Sequence, residues 1–217
     1  MIIKVVESIL YEYTCLIFLG VIFQIVMVKK EQKNGHEYSL KHFIWVYIFY
    51  IYLMLVFNCT GIGNIYEFNF YIKVHAPIAE LTQINLIPFS HTSGEIIMYI
   101  ENGIMFMPFG FLLPLIWEQF KSARKVVYTG LLFSLAIELS QLLNIRFTDI
   151  DDLMMNTIGT FLGWVLFYLF DKLFKNKKEK QIHSLENTNI SFLARHEACF
   201  YLVFSFIGQI LLYNPFL

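Results

Sequence analysis

Long apolar runs, separated by short polar segments, make up most of this chain. Six runs stand out, at residues 10–28, 42–57, 95–117, 126–143, 152–174 and 199–213. An α-helix rises about 1.5 Å per residue, so about 20 apolar residues cross the roughly 30 Å hydrocarbon core of a bilayer. The pattern therefore predicts an all-α, polytopic membrane helical bundle with about six transmembrane helices, the last run being the shortest.

The composition agrees with a membrane protein and excludes several other classes. Of the 217 residues, 57% are hydrophobic, 18% aromatic and only 15% charged. A soluble domain of this length would carry more charge. The formal net charge is -1, and Cys15, Cys59 and Cys199 are scattered along the chain. We therefore expect no nucleic-acid partner, no disulfide framework and no cysteine metal site, and the sequence suggests no cofactor.

The positions of Lys and Arg predict the orientation in the membrane. All of them except Lys4, Lys73 and Arg146 lie in or beside the connections after the first, third and fifth helices. Positively charged connections remain in the cytoplasm. Both termini are therefore predicted outside, together with the connection between the fourth and fifth helices.

Small residues and prolines predict how the helices pack. Pro108 and Gly110 interrupt the third apolar run, where a proline removes a backbone donor, so we expect a kink there. Gly159 and Gly163 lie four residues apart in the fifth run. Such a small-xxx-small pair lets the backbone of another helix approach closely.

Polar side chains inside the apolar runs are the candidate chemistry. Glu138 and Gln141 lie in the fourth helix, Asn156 in the fifth and Asn102 in the third, all at a similar predicted depth. An ionised side chain at mid-bilayer costs about 2.5 kcal/mol or more, so these residues must pair, face water or perform a function. The short link outside them carries four further charges, Arg146, Asp149, Asp151 and Asp152.

Three interpretations of this constellation remain open. The side chains could hydrogen-bond one another and hold the helices together, with Arg146 paired to an aspartate. They could instead form an outward-facing pocket for the polar head of an amphiphile, in which Arg146 binds a phosphate or carboxylate. Third, Asp149, Asp151 and Asp152 could hold a hard cation, which favours oxygen ligands. A dense acidic link more often caps a helix, so this interpretation is the least favoured and no metal is predicted.

The order and spacing of these residues resemble the VanZ-like family. The matching motifs are NLIPF, with Asn85, Pro88 and Phe89, then Asn102, Pro108 and Gly110, and finally Glu138, Gln141, Arg146, Asp149, Asp151, Asp152, Asn156, Gly159 and Gly163. On this basis the chain divides into two N-terminal helices with an outer connection (1–84), a VanZ-like core of three helices (85–174), and a cytoplasmic linker with a final helix (175–217). The resemblance implies a multipass bacterial cell-membrane protein, in a family whose namesake is associated with resistance to the glycopeptide teicoplanin.

Two functional hypotheses follow. The first is a non-enzymatic protein that binds an amphiphile or cell-envelope lipid at its outer face, with membrane lipids, a lipoglycopeptide antibiotic or a cell-wall lipid precursor as partner. The second is a membrane enzyme acting on lipid-linked substrates, using Glu138 as acid or base, or an aspartate-bound divalent ion. The sequence shows no nucleophile paired with a base and no GxxxxGK[ST] nucleotide-binding motif, which favours the first hypothesis.

The predicted topology can be tested by cysteine labelling. Single cysteines introduced at Gln32, Ser122 and Asn176 should be protected from a membrane-impermeant reagent in intact cells, because all three lie in connections rich in Lys and Arg. They should react once the cells are opened. Labelling of any of them in intact cells would contradict this topology.

Overall fold

The fold is an all-α bundle with one pair of very short strands. The computed structural model describes residues 2–74, 84–89, 96–144, 148–174 and 190–216. The helices are α1 (Ile2–Lys33), α2 (Leu40–Thr60), α3 (Ile65–Lys73), α4 (Ile96–Ile116), α5 (Ala123–Gln141), α6 (Ile150–Phe174), α7 (Phe192–Arg195) and α8 (Glu197–Ile207). A 3₁₀ turn (Glu118–Phe120) follows α4, and a π-helical turn (Gly208–Leu212) continues α8. The strands are β1 (Ile84–Asn85) and β2 (Thr148–Asp149), which pair in parallel.

Four helical segments are long and apolar enough to cross a membrane. They are Val6–Lys33, Leu40–Lys73, Ile96–Ile116 and Ile150–Phe174. The predicted all-α membrane bundle is thereby confirmed. The segment Glu197–Leu212 is apolar but shorter, and α5 has 19 residues with Arg124, Lys125 and Glu138 among them. The count of about six crossings and the outward position of the termini therefore stay predictions.

Local sequence signals set the bounds of α2 and α3. The Ser39 side chain accepts a hydrogen bond from the His42 backbone at the start of α2, and Gly61 ends that helix in the left-handed conformation, at φ 61°. Glycine adopts this conformation without steric cost. Asn64 and Glu67 then form a capping box that begins α3. The chain therefore leaves α2 and turns directly into a second helix.

The backbones of α4 and α6 touch. A Cβ added at Gly159 would lie 2.0 Å from the carbonyl oxygen of Gly103, and one added at Gly163 would lie 1.9 Å from that of Met107. On the opposite side of the contact, a Cβ at Gly110 would lie 1.9 Å from the carbonyl oxygen of Thr160. Only glycine permits such an approach, so this pair of helices packs through its small residues.

Helix α4 contains two prolines. It runs from Ile96 to Ile116 with Pro108 and Pro114 inside it, and the predicted kink at Pro108 stays a prediction. Pro108 cannot donate a hydrogen bond to the carbonyl of the residue four before it. The hydroxyl of Tyr52, on α2, donates to the next carbonyl along, that of Met105, at 2.9 Å. A donor from a neighbouring helix thus supplements the backbone hydrogen bonds beside the proline.

The first and last helices pack against each other and against α2. The ring of Phe23 in α1 lies 4.8 Å from Phe200 and 5.4 Å from Tyr201, centroid to centroid. Near the opposite end of α1, Glu12 is 4% exposed. Its Oε1 accepts hydrogen bonds from Asn58 of α2 at 2.8 Å and from Gln209 at 3.2 Å. A single buried carboxylate therefore connects three segments of the bundle.

The α4–α6 contact predicts different outcomes for two glycine substitutions in the same interface. Gly159→Ala should lower the free energy of unfolding in detergent by about 1–3 kcal/mol, because the new methyl overlaps a backbone carbonyl that cannot rotate away. Gly103→Ala is the control, since its Cβ would meet Met155 Cε at 3.7 Å and the Met155 carbonyl oxygen at 3.8 Å, both ordinary contacts. Equal unfolding temperatures for the two variants would show that the helices do not touch in this way.

Candidate functional site

The NLIPF motif lies against the link between α5 and α6. Strand β1 pairs with β2 so that Ile84 is opposite Thr148 and Asn85 is opposite Asp149. The Asn85 side-chain amide donates to Asp149 Oδ2 at 3.2 Å. Two motifs whose paired residues are 64 positions apart in the chain are therefore adjacent at one end of the bundle, which agrees with their shared predicted side of the membrane.

Asp151 holds the turn that follows β1. Its side chain is fully buried, and its two carboxylate oxygens accept the backbone N–H of Phe89, each at 3.0 Å. The hydroxyl of Tyr99, in α4, donates to Asp151 Oδ2 at 2.8 Å. A buried carboxylate is tolerated only with such donors. Phe89 itself has a φ of 55°, in the left-handed region that is unfavourable for a bulky residue, so this carboxylate helps to maintain an unusual backbone.

Asp149 immediately precedes α6, caps its first turn and connects it to α5. Its Oδ1 accepts the backbone N–H of Asp151 at 2.9 Å, which is the hydrogen bond of a helix-capping residue. The negative charge also lies at the positive end of the helix dipole. The backbone N–H of Asp149 donates to Glu138 Oε2 at 3.1 Å. The position of the Glu138 carboxylate is thereby tied to the start of α6.

Glu138 and Asp152 lie close together among buried helices. Glu138 is 3% exposed, and the carboxylates of Asp152 and Asp149 are near enough to act on it electrostatically. Asp152 accepts a hydrogen bond from the Asn102 side chain of α4. Three of the predicted residues, from three different helices, therefore meet at one end of the bundle. We call this group, together with Asp149, Asp151 and Asn156, the acidic cluster.

Asn156 forms the buried floor of the acidic cluster. It is 1% exposed, one helical turn further into α6 than Asp152. Its Nδ2 donates to Ser134 Oγ of α5 at 2.9 Å. Its Oδ1 has no hydrogen-bond partner among the described residues. Buried acceptors are almost always paired, so this oxygen is available to a donor from water or from a ligand.

Gln141 points elsewhere. The sequence grouped it with Glu138, but its Nε2 donates to the Thr60 carbonyl of α2 at 2.9 Å. Asn144 similarly donates to the Gly61 carbonyl at 3.1 Å. These carbonyls belong to the end of α2, where backbone acceptors lack helical donors. Gln141 thus fixes α2 against α5 through its Nε2, whereas its buried Oε1 has no hydrogen-bond partner among the described residues. Its predicted role in a ligand site stays a prediction.

Two contributing residues were not predicted. Tyr99 lies three residues before Asn102 on α4 and therefore on the same helix face, a spacing that could have identified it. Asn144 follows Gln141 by the same spacing.

Two of the predicted residues remain to be placed. Pro88 lies in the exposed turn before Phe89. Arg146, in contrast, lies outside the described residues, so its predicted role as an anion ligand stays a prediction.

The aspartates of the link are engaged by protein donors. Asp149 accepts from Asn85, Asp151 from Phe89 and Tyr99, and Asp152 from Asn102. Across the described part of the chain, no group of three or more His, Cys, Asp and Glu side chains is arranged to hold a metal ion. The contacts of these carboxylates are those of residues that join segments of the fold.

Comparisons with known proteins identify the family. The family model described as VanZ/LLP1 matches residues 43–171, which extend from the start of α2 almost to the end of α6. A curated relative, "Protein VanZ" from Enterococcus faecium, is 38% identical over 96 residues, or 44% of this chain. The match spans only 58% of that relative's length. No solved structure matches significantly. Because the family model covers more than half of the sequence and includes the acidic cluster and the α4–α6 contact, the chain belongs to the VanZ/LLP1 family.

Proposed function

We propose that this chain is a non-enzymatic membrane protein that binds an amphiphile at the end of the bundle formed by NLIPF and the acidic cluster. The observation that carries the proposal is the juxtaposition of exposed apolar side chains with buried polar ones. Leu86 and Ile87 are each 69% exposed, and Phe89 is 60% exposed. The buried carboxylate of Asp151 holds the turn to which they belong. An amphiphile needs both kinds of surface within its own length.

The polar part of the site favours a head group that carries hydrogen-bond donors. The acidic cluster supplies the buried Oδ1 of Asn156, which lacks a partner within the described ranges, and the buried carboxylate of Glu138. Hydroxyl and amide donors of a head group would satisfy such acceptors. A lipoglycopeptide antibiotic and a lipid-linked cell-wall precursor both have heads of this chemistry. Binding of either would alter how a glycopeptide reaches its target, which agrees with the teicoplanin resistance associated with the family's namesake.

The exposed apolar turn provides a direct test with a matched control. Leu86→Ser should weaken binding of teicoplanin to the purified protein in detergent about tenfold, the loss expected when one leucine side chain no longer buries its apolar surface. Leu173→Ser is the control, because Leu173 is 77% exposed at the opposite end of α6. It should leave both binding and the minimal inhibitory concentration of teicoplanin in expressing cells unchanged. Equal effects of the two substitutions would contradict a site at the NLIPF end.

The enzyme alternative rests on Glu138, whose buried carboxylate lies near those of Asp152 and Asp149. A carboxylate in such surroundings can transfer protons. Glu138→Gln separates the two functions, because the amide oxygen still accepts the Asp149 N–H but the side chain no longer exchanges a proton. Under our proposal, binding and resistance persist in this variant. A complete loss of resistance in a variant that is expressed and melts like the parent would favour the enzyme, as would loss on chelation of divalent ions.

A further inference from the structure

A pocket lies at the other end of the bundle from the acidic cluster. Its volume is about 720 Å³, and it opens between the end of α4 and the short helix α7. Its walls include Ile116, Trp117, Lys121, Ala194 and Arg195. The acidic cluster contacts the first turns of α4, whereas this pocket contacts its last turn. Asn102 of the cluster and Ile116 of the pocket are about 21 Å apart along the helix, at about 1.5 Å per residue.

The aromatic wall of the pocket is held rigidly. Glu197, at the start of α8, is 2% exposed and accepts a hydrogen bond from Trp117 Nε1 at 3.0 Å. It also contacts His42 Nε2, of α2, at 2.8 Å. The Trp117 ring packs edge-on against Phe49 with centroids 5.5 Å apart. The indole N–H is therefore occupied, and the ring contributes a fixed apolar surface to the pocket.

Tyr38, from the connection between α1 and α2, completes the aromatic lining. Burial, followed by the nearby charges of Glu197 and Glu31, raises the pKa of the Tyr38 phenol above its ordinary value. A tyrosine phenol is already uncharged at physiological pH, and this shift keeps it so. Tyr38 therefore does not repel an anion in the pocket.

The charged lining leaves one cation for a ligand. Lys121 forms an ion pair with Glu118, which also lines the pocket, so these two charges offset each other. Arg195 is exposed, and its side chain makes no hydrogen bond or ion pair with any part of the chain that the structure describes. A guanidinium presents planar, paired donors that match a phosphate. The pocket therefore combines one available arginine with an apolar wall of Ile116, Trp117 and Ala194.

We propose that this pocket binds the phosphate of an anionic membrane phospholipid. Arg195 would contact the phosphate, while Ile116, Trp117 and Ala194 contact the glycerol and the first acyl carbons. The pocket lies at the end of α4, which is one of the segments long enough to cross a membrane. The end of such a segment lies at the level of the lipid head groups. This site is separate from the amphiphile site proposed above, and neither proposal depends on the other.

The test measures lipid binding to the full-length protein in detergent by native mass spectrometry. Dioleoylphosphatidylglycerol should bind with at least about tenfold higher affinity than the zwitterionic phosphatidylcholine. Arg195→Gln should weaken binding of the phosphatidylglycerol about tenfold, the effect of losing one charge-assisted hydrogen-bonded contact. Arg124→Gln is the matched control, because Arg124 is also exposed, lies on the same predicted side of the membrane, and does not line the pocket. The Arg124→Gln variant should bind the phosphatidylglycerol with the same affinity as the parent protein.

A second variant tests the cavity rather than the charge. Ala194→Phe fills the pocket and retains Arg195, so it should abolish phosphatidylglycerol binding while the thermal melt stays that of a folded protein. Equal weakening by Arg124→Gln and Arg195→Gln would mean diffuse attraction to a basic surface and would overturn the proposal, as would unchanged binding in Ala194→Phe. Displacement of the lipid by equimolar glycerol phosphate would identify a site for free phosphates and would overturn the lipid assignment.

Discussion

The direct contact between the backbones of α4 and α6 is the constraint on which the rest of the structure depends. Gly159 against Gly103, and Gly163 against Met107, bring the two helices closer than any side chain would permit. Because the two helices are this close, the side chains of Asn102 and Tyr99 on α4 reach Asp152 and Asp151 on α6. Contact through backbones also provides dispersion and shape fit where lipid supplies no hydrophobic driving force between helices. The acidic cluster is a consequence of that packing.

Buried carboxylates perform the same task at three places in the bundle. Asp151 joins the NLIPF turn to α4 and α6, Glu197 joins α2, α4 and α8, and Glu12 joins α1, α2 and α8. Each accepts at least two hydrogen bonds from different segments, which offsets the cost of removing a carboxylate from water. Side chains that could have been assigned to catalysis from their burial alone therefore serve first to join helices. Glu138 is the exception, because within the described part of the chain its carboxylate accepts one hydrogen bond, from the Asp149 backbone, and a chemical role for it stays open.

Much of this arrangement could be predicted from the sequence, because its causes are local. Apolar runs of sufficient length define the helices, and the spacing of Gly159 and Gly163 identifies the face that packs. The depth of Asn102, Glu138 and Asn156 in their runs places them at one end. The partner of Gln141 could not be predicted, since it depends on the rotation of α5 relative to α2. The donor beside Pro108 could not be predicted either, since the Tyr52 hydroxyl that reaches the Met105 carbonyl comes from a neighbouring helix.

The connection made by Glu197 has a consequence for biogenesis. Membrane proteins are synthesised from the N-terminus, so α2 and α4 are inserted before α8 emerges from the ribosome. During that interval the polar nitrogens of His42 and Trp117 lack the acceptor that they have in the finished protein. A chain that stops before Glu197 would leave both nitrogens without this acceptor, so the contact between α2 and the end of α4 is completed only when α8 has been made.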